Sequence, residues 1–252
     1  MHSMNIMAVI SDVHSNVFAL EAVLQDIHRR GINNIVNLGD TLFGPIDPVG
    51  TAELLMNRPD VTNIMGNCDR YLLQNHMESA TFQYVKPLLT DGILNWLESF
   101  NRTWVYEDLL FCHGTPFSDE RYLLEKVVLG GVHDKSDEEL IAELEPVAER
   151  VVFCGHTHLP KIVMLPNGKV IVNPGSVGLP AYSEELPYPH IMESMTPHAK
   201  YLIIHREREH HSWKVEPIQI PYDYELAALR ADQNKREDYS YAIRTGRVLS
   251  RS

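Results

Sequence analysis

The chain has 252 residues, 44% of them apolar, and its 34 acidic side chains outnumber 22 lysines and arginines to give a formal net charge of -12. That length suffices for one large domain with a full core, and we expect a single domain over residues 1–252. The charge argues against gripping long stretches of nucleic-acid backbone, and apolar runs of five or six residues fall far short of the roughly 18 needed to cross a bilayer.

The first apolar run, Ile6 to Ile10, is followed too soon by Asp12 to be a signal-peptide core, so a cytoplasmic location is expected, with no membrane association. It reads as a strand. Phe18, Leu20, Val23, Leu24 and Ile27 then recur at helical spacing until Gly31, which predicts an amphipathic helix over 17–30. Asn34 to Leu38 reads as a second strand, Pro48 to Met56 as a helix after a loop rich in proline, and Val61 to Met65 as a third strand. This alternation predicts a mainly parallel sheet with helices outside.

Residues 69–100 carry no strand signal and read as helical, with a core-facing stripe of Leu88, Leu89, Ile93, Leu94, Trp96 and Leu97. Thr103 to Tyr106 and Leu109 to Cys112 read as a hairpin across Glu107 and Asp108. The polar stretch 116–137 is expected to be a lid-like insertion with a short helix, after which Ser136 or Asp137 caps a helix running to Arg150. Val151 to Cys154 is another strand, and Ile162 to Leu165 with Val170 to Val172 forms a hairpin around Asn167 and Gly168. Residues 183–198 are expected to be a long irregular loop. Tyr201 to Arg206 pairs with Trp213 to Ile220 across a turn holding the solvated His210 and His211, Tyr222 to Arg236 is a closing helix, and the last dozen residues fray. Cys112 and Cys154 fall at strand positions and read as small buried residues; no disulfide framework is implied.

Five of the strands end on residues able to ligate a metal. Ile6 to Ile10 leads to Asp12 and His14, the second strand to Gly39-Asp40, and the third to Gly66-Asn67. Leu109 to Cys112 leads to His113, and Val151 to Cys154 leads to Gly155-His156-Thr157-His158. In a parallel sheet the carboxyl ends lie side by side, at the edge where open α/β folds build sites, so five loops would meet there. Mixed nitrogen and oxygen donors without thiolate favour Mn, Fe, Zn, Ni or Co over Ca or Mg.

In this order the motifs Asp12-x-His14, Gly39-Asp40, Gly66-Asn67-x-Asp69, His113 and Gly155-His156-x-His158 resemble the calcineurin-like metallophosphoesterase superfamily, over roughly residues 5–180. The resemblance implies a two-sheet α/β sandwich of four layers with helices on the outer faces. It also implies two divalent metal ions, one held by Asp12, His14, Asp40 and His158, the other by Asp40, Asn67, His113 and His156, with Asp40 bridging. A hydroxide between the ions would attack a phosphate ester in line. The commonest family pattern places a histidine after the asparagine to assist the leaving group, whereas this chain has Cys68, similar to a short prokaryotic phosphodiesterase branch. The turn Asn173-Pro174-Gly175-Ser176-Val177-Gly178 also resembles that branch; it either lies near the site or is a tight turn needing positive φ.

A neutral thiol is a weaker donor than an imidazolium, so substrates with good leaving groups are expected. Asp69 either orients the group at position 68 or caps the helix that follows. Asn16, Arg70, Tyr71 and the loop from Thr115 to Tyr122 flank ligand positions and are candidate contacts to a small phosphate-ester substrate. The expected activity is metal-dependent hydrolysis of phosphodiesters or activated phosphate esters. The alternatives are a phosphomonoesterase or dinucleoside polyphosphate hydrolase, and a non-catalytic metal-binding scaffold on the same fold.

Overall fold

The computed structural model describes residues 6–207 and 212–250, so His210 and His211 lie outside the described residues. The chain opens with β1 (Ile6–Ile10), α1 (Val17–Arg29), β2 (Ile35–Asn37), α2 (Pro48–Met56) and β3 (Val61–Asn63). Next come α3 (Asn67–Leu72), α4 (Ala80–Val85), a 3-10 turn at Lys86–Leu88 and α5 (Asp91–Glu98). They are followed by β4 (Thr103–Tyr106), β5 (Leu109–Cys112), β6 (Glu125–Val128), β7 (Gly131–Asp134) and α6 (Asp137–Glu143). The remainder is β8 (Val151–Phe153), β9 (Lys161–Met164), β10 (Val170–Asn173), β11 (Ala181–Glu184), β12 (His190–Glu193), β13 (Ala199–Glu207), β14 (Ser212–Ile220), α7 (Tyr224–Gln233) and α8 (Glu237–Thr245).

Two five-stranded sheets form the body, in the orders β14-β13-β1-β2-β3 and β4-β5-β8-β10-β9. Both are mixed rather than mainly parallel. β1, β2 and β3 run parallel, as do β5, β8 and β10, while β13, β14, β4 and β9 are antiparallel additions. The reason is local: Glu107 and Asp108 leave only a two-residue connection between β4 and β5, and a parallel crossover needs a dozen residues or more.

Side-chain alternation along the strands separates the layers. Met7 and Val9 of β1 face inward with Val36, Leu38, Phe111, Phe153 and Leu202, filling the space between the sheets. Ala8 and Ile10 face the other way, onto Leu20, Val23, Leu24 and Ile27 of α1. The outer face of the second sheet is covered in the same manner, by Leu140 and Leu144 at α6 together with Leu123 and Leu124. The architecture is a two-sheet α/β sandwich with helices on its outer faces, as expected.

Several elements differ from the reading of the sequence. Residues 116–137 contain no short helix; Glu125–Val128 and Gly131–Asp134 pair as an antiparallel hairpin turned by Gly130 and Gly131, both at positive φ. Ala181–Glu184 and His190–Glu193 likewise pair, so 183–198 is not an irregular loop throughout. Ser136 caps α6 reciprocally with Glu139, but the helix stops at Glu143 ahead of Pro146, well before Arg150. Where fraying is expected over the last dozen residues, α8 runs on to Thr245, and its Ile243 packs on Ala227, Ala228 and Ala231 of α7. Of the stripe in 69–100, Ile93 and Leu97 are buried whereas Leu88 is exposed.

Candidate metal centre

The carboxyl ends of β1, β2, β3, β5 and β8 come together, and main-chain hydrogen bonds lace their loops to one another. Asp12 N–H donates to Gly39 O (3.0 Å), His14 N–H to Asp40 O (2.9 Å) and Gly155 N–H to His113 O (2.6 Å). The turn 173–178 closes the ring from outside, Gly178 N–H reaching Asp12 O at 3.1 Å and the Ser176 hydroxyl reaching the same oxygen at 2.7 Å. Gly175 in that turn has φ +77°, so both readings of the motif hold: a positive-φ turn that also buttresses the site.

Backbone strain concentrates at the same place. Among the described residues nine non-glycine residues have positive φ, and five of them are Asp12, His14, Asp40, His156 and His158. Each left-handed position costs an L-residue about 1–2 kcal/mol, so such a cluster persists only where the surrounding structure enforces it.

His14 Nδ1 donates to Phe43 O (2.8 Å), His158 Nδ1 to Leu179 O (2.6 Å) and His113 Nδ1 to Leu38 O (2.9 Å). A neutral imidazole that donates through Nδ1 presents a bare lone pair at Nε2. The Nε2 atoms of His14 and His158 face each other at 3.2 Å, which no hydrogen bond satisfies while both rings are neutral. Asp12 Oδ1 lies 3.3 Å from His158 Nε2 and is buried without a hydrogen-bond partner. Burial and the neighbouring His158 hold His14 below its ordinary pKa, so a proton is a poor bridge between the rings. A cation accepts all three lone pairs at once, and the residues therefore fit a divalent metal.

A second group adjoins the first. Asp40, His113 and His156 bring one ligand atom each within 4.8 Å of one another. His113 Nε2 is 3.0 Å from Asn67 Oδ1 and 3.4 Å from Asp40 Oδ2. His156 donates through Nε2 to Glu120 O (3.1 Å), which leaves Nδ1 as its bare nitrogen. Asp40 Oδ2 also lies 3.7 Å from His14 Nε2, so this carboxylate stands between the two groups. Burial opposes its charge, yet His113 and His14 hold Asp40 well below the usual carboxylate range. All seven ligand candidates thus converge, six of them buried and His156 half-buried.

Cys68 borders this cluster. Its thiol reaches a third close group with His14 and Asp40, and its N–H donates to Asp40 Oδ1 at 2.9 Å. Burial and then Asp40 push the thiol pKa well up, keeping it neutral. Asp69 accepts from Thr41 N–H (2.8 Å) and Gly66 N–H (3.2 Å), so its carboxylate caps α3 and ties that helix to the Asp40 loop.

The candidate substrate contacts fare differently. Asn16 is fully buried and committed elsewhere: it caps α1 through Ala19 N–H and donates to Gly178 O (2.8 Å) and Tyr222 Oη (3.0 Å). It is a structural cap rather than an available contact. Arg70 grips Asp119 (2.7 and 3.1 Å) and Glu120 (2.8 Å), and Tyr71 donates to Glu120 (3.0 Å), which fastens α3 to the 115–122 loop. Tyr122 from that loop packs against His156, the two rings tilted with centroids 4.9 Å apart. Tyr182 and His190, absent from the sequence reading, complete the wall. Tyr182 lies 4.5 Å from the His158 ring and donates to His156 O, and Tyr122 Oη contacts Tyr182 Oη (2.6 Å) and His190 Nε2 (2.9 Å). Their only sequence signal is the short alternation on either side of the Pro187 and Pro189 turn.

The domain described as the calcineurin-like phosphoesterase superfamily domain matches residues 4–196. An uncharacterized protein of Methanocaldococcus jannaschii is 26% identical over 262 residues, covering 93% of this chain and 95% of that protein. The crystal structure of a metallophosphoesterase from Sphaerobacter thermophilus has a TM-score of 0.70 at 21% identity, covering 93% of this chain and 99% of that one, a likeness of fold. Among the described residues no helix is long and apolar enough to cross a membrane.

Proposed function

This chain belongs to the calcineurin-like phosphoesterase superfamily, which implies a divalent metal, and from that premise we propose that it hydrolyses phosphodiesters or activated phosphate esters at a dinuclear centre. Two divalent transition ions, drawn from Mn, Fe, Zn, Ni or Co, would when bound lower the pKa of water to near neutral and polarise the phosphoryl oxygens. Asp12, His14 and His158 would hold one ion, His113, His156 and Asn67 the other, and Asp40 both.

The observation that carries this reading is the pair of bare Nε2 atoms on His14 and His158, 3.2 Å apart beside an orphaned Asp12 oxygen. Carbonyl acceptors behind His14, His113 and His158 fix the tautomer and aim each ring inward. Cys68, a neutral thiol where the family's commonest pattern has histidine, gives weak help to a departing alkoxide, which favours esters with good leaving groups. The substrate is a small phosphate ester rather than extended nucleic acid, consistent with the charge of -12.

Protein made metal-free with a chelator, as checked by elemental analysis, is expected to lose hydrolysis of bis(p-nitrophenyl) phosphate. Adding back one of the five ions should restore it. Turnover that persists in metal-free protein overturns the proposal.

A further inference from the structure

Three of the candidate histidine ligands, His113, His158 and His14, are aimed by carbonyls of the protein body: Leu38 and Leu179 are buried and Phe43 is half-buried. His156 is the exception. Its Nε2–H donates to the carbonyl of Glu120, an exposed residue of the 115–122 loop. Among the described residues Glu120 joins no main-chain pair, and its own N–H reaches Ser118 Oγ at 3.3 Å. The nearest main-chain tie of the loop, from Thr115 N–H to Ser118 O at 2.7 Å, ends at Ser118. The backbone of the loop therefore does not fix the oxygen that aims the ring.

Side chains of α3 supply that restraint. Glu120 Oε1 accepts from Arg70 Nη2 (2.8 Å) and Tyr71 Oη (3.0 Å), while Asp119 takes Arg70 Nε and Nη2 at 2.7 and 3.1 Å. The guanidinium also lies over the Tyr71 ring, 5.1 Å from its centroid. One exposed ion pair contributes little, but a planar guanidinium bonded to two carboxylates is fixed in direction as well as position. Arg70 and then Tyr71 hold the Glu120 carboxyl below its ordinary pKa, so the grip is charged at neutral pH. α3 begins with Asn67, whose Oδ1 meets His113. One short helix thus presents one candidate ligand and secures the carbonyl that aims another.

We propose that Arg70 and Tyr71 are positioning residues for the second ion: acting through Glu120, they hold the His156 ring with Nδ1 turned toward Asp40 and His113, and so set how tightly that ion binds. The inference rests on the dinuclear reading, and it removes Arg70 and Tyr71 from the groups that touch the substrate.

The test is titration of metal-free protein with Zn(II) against a competing chelator, the second ion being the step that His156→Ala abolishes. Arg70→Met is expected to weaken that step about tenfold and to leave the first unchanged. That is the low end of the roughly 10–100-fold that removing an outer partner of a metal-bound histidine costs, because the grip is part-exposed. Tyr71→Phe, which removes one bond to Glu120, should lose less. Arg70→Met/Glu120→Gln should bind the second ion no more weakly than Arg70→Met alone, since both changes break one contact. An unchanged second step, equal weakening of both steps, or additive losses in the double variant overturns the proposal. So does a raised KM for bis(p-nitrophenyl) phosphate in Arg70→Met with both ions bound as tightly as in wild type. The downfield Nε2–H proton of His156, read by NMR in metal-free protein, needs no ion: it should be visible in wild type and lost to exchange with water in Arg70→Met. If wild type takes up fewer than two ions, the dinuclear reading fails instead and this proton decides the positioning role alone. Its loss in Arg70→Met upholds the role, and its persistence there or absence from wild type overturns it.

Discussion

Replacing Gly66 by alanine probes the point where the β3 loop meets the Asp40 carboxylate. A Cβ on Gly66 would stand 2.1 Å from Asp40 Oδ1 and 2.4 Å from Asp40 N. Comfortable contact begins near 3.5 Å, and the nitrogen belongs to backbone held in place by the β1 and β2 loops, so the two loops must separate by about 1 Å. Overpacking of this kind costs about 1–3 kcal/mol and should lower Tm by roughly 2–10 °C. The functional loss should be larger, because a 1 Å displacement of a reacting constellation costs about a hundredfold in rate. Asn67 follows Gly66 directly and the displaced Asp40 is proposed to serve both ions, so metal content should fall below that of wild type. The assay is hydrolysis of bis(p-nitrophenyl) phosphate alongside elemental analysis and thermal melts. Gly31→Ala is the control: φ is +69° with open space around it, so it should carry only about 1 kcal/mol of backbone strain and retain full activity. A Gly66→Ala protein with wild-type turnover and metal content refutes the reasoning.

Cys68→His should raise activity toward esters with poor leaving groups by supplying a better donor, and a fall for every ester counts against the role given to that position. Lys200 is buried, its ammonium bonded among the described residues to Ser194 Oγ (3.1 Å) and His198 O (3.3 Å) without a carboxylate partner, and burial draws its pKa down to about 8. Because the folded value lies below the unfolded one, the charged lysine destabilises the fold fully below pH 8, by about 3 kcal/mol, and the deficit fades as pH rises from 8 toward 10.5. Lys200→Met should therefore melt higher than wild type at pH 7, with the gap closing by pH 10; a gap independent of pH contradicts this. Asn16→Ala removes a helix cap and two buried hydrogen bonds, so a loss of about 2–3 kcal/mol with unchanged KM is expected. Raised KM at unchanged Tm would return Asn16 to the substrate.

What could be read from the sequence were features written locally. Each candidate ligand position follows a short apolar run, and Ser136 with Glu139 spells its own helix start. Hairpins with four-residue strands, such as Glu125–Asp134, hold too few positions per strand to show a period, so they read as polar loop. From the sequence Asn16 reads as a free side chain, because the partners that occupy it, Gly178 and Tyr222, stand 162 and 206 positions away. Arg70 looked free for the same reason: the carboxylates that hold it lie about fifty residues on. Tyr182 and His190 reach the histidine pair only after the second hairpin folds back over the site.

The central claim is that one carboxylate, Asp40, joins two metal sites assembled from five loops. Elemental analysis of purified wild type and of Asp40→Asn, with circular dichroism to check folding, tests it most directly. Two divalent ions per wild-type chain, with both metal occupancy and ester hydrolysis lost in the folded variant, is the predicted result. Two ions retained by Asp40→Asn would contradict the account.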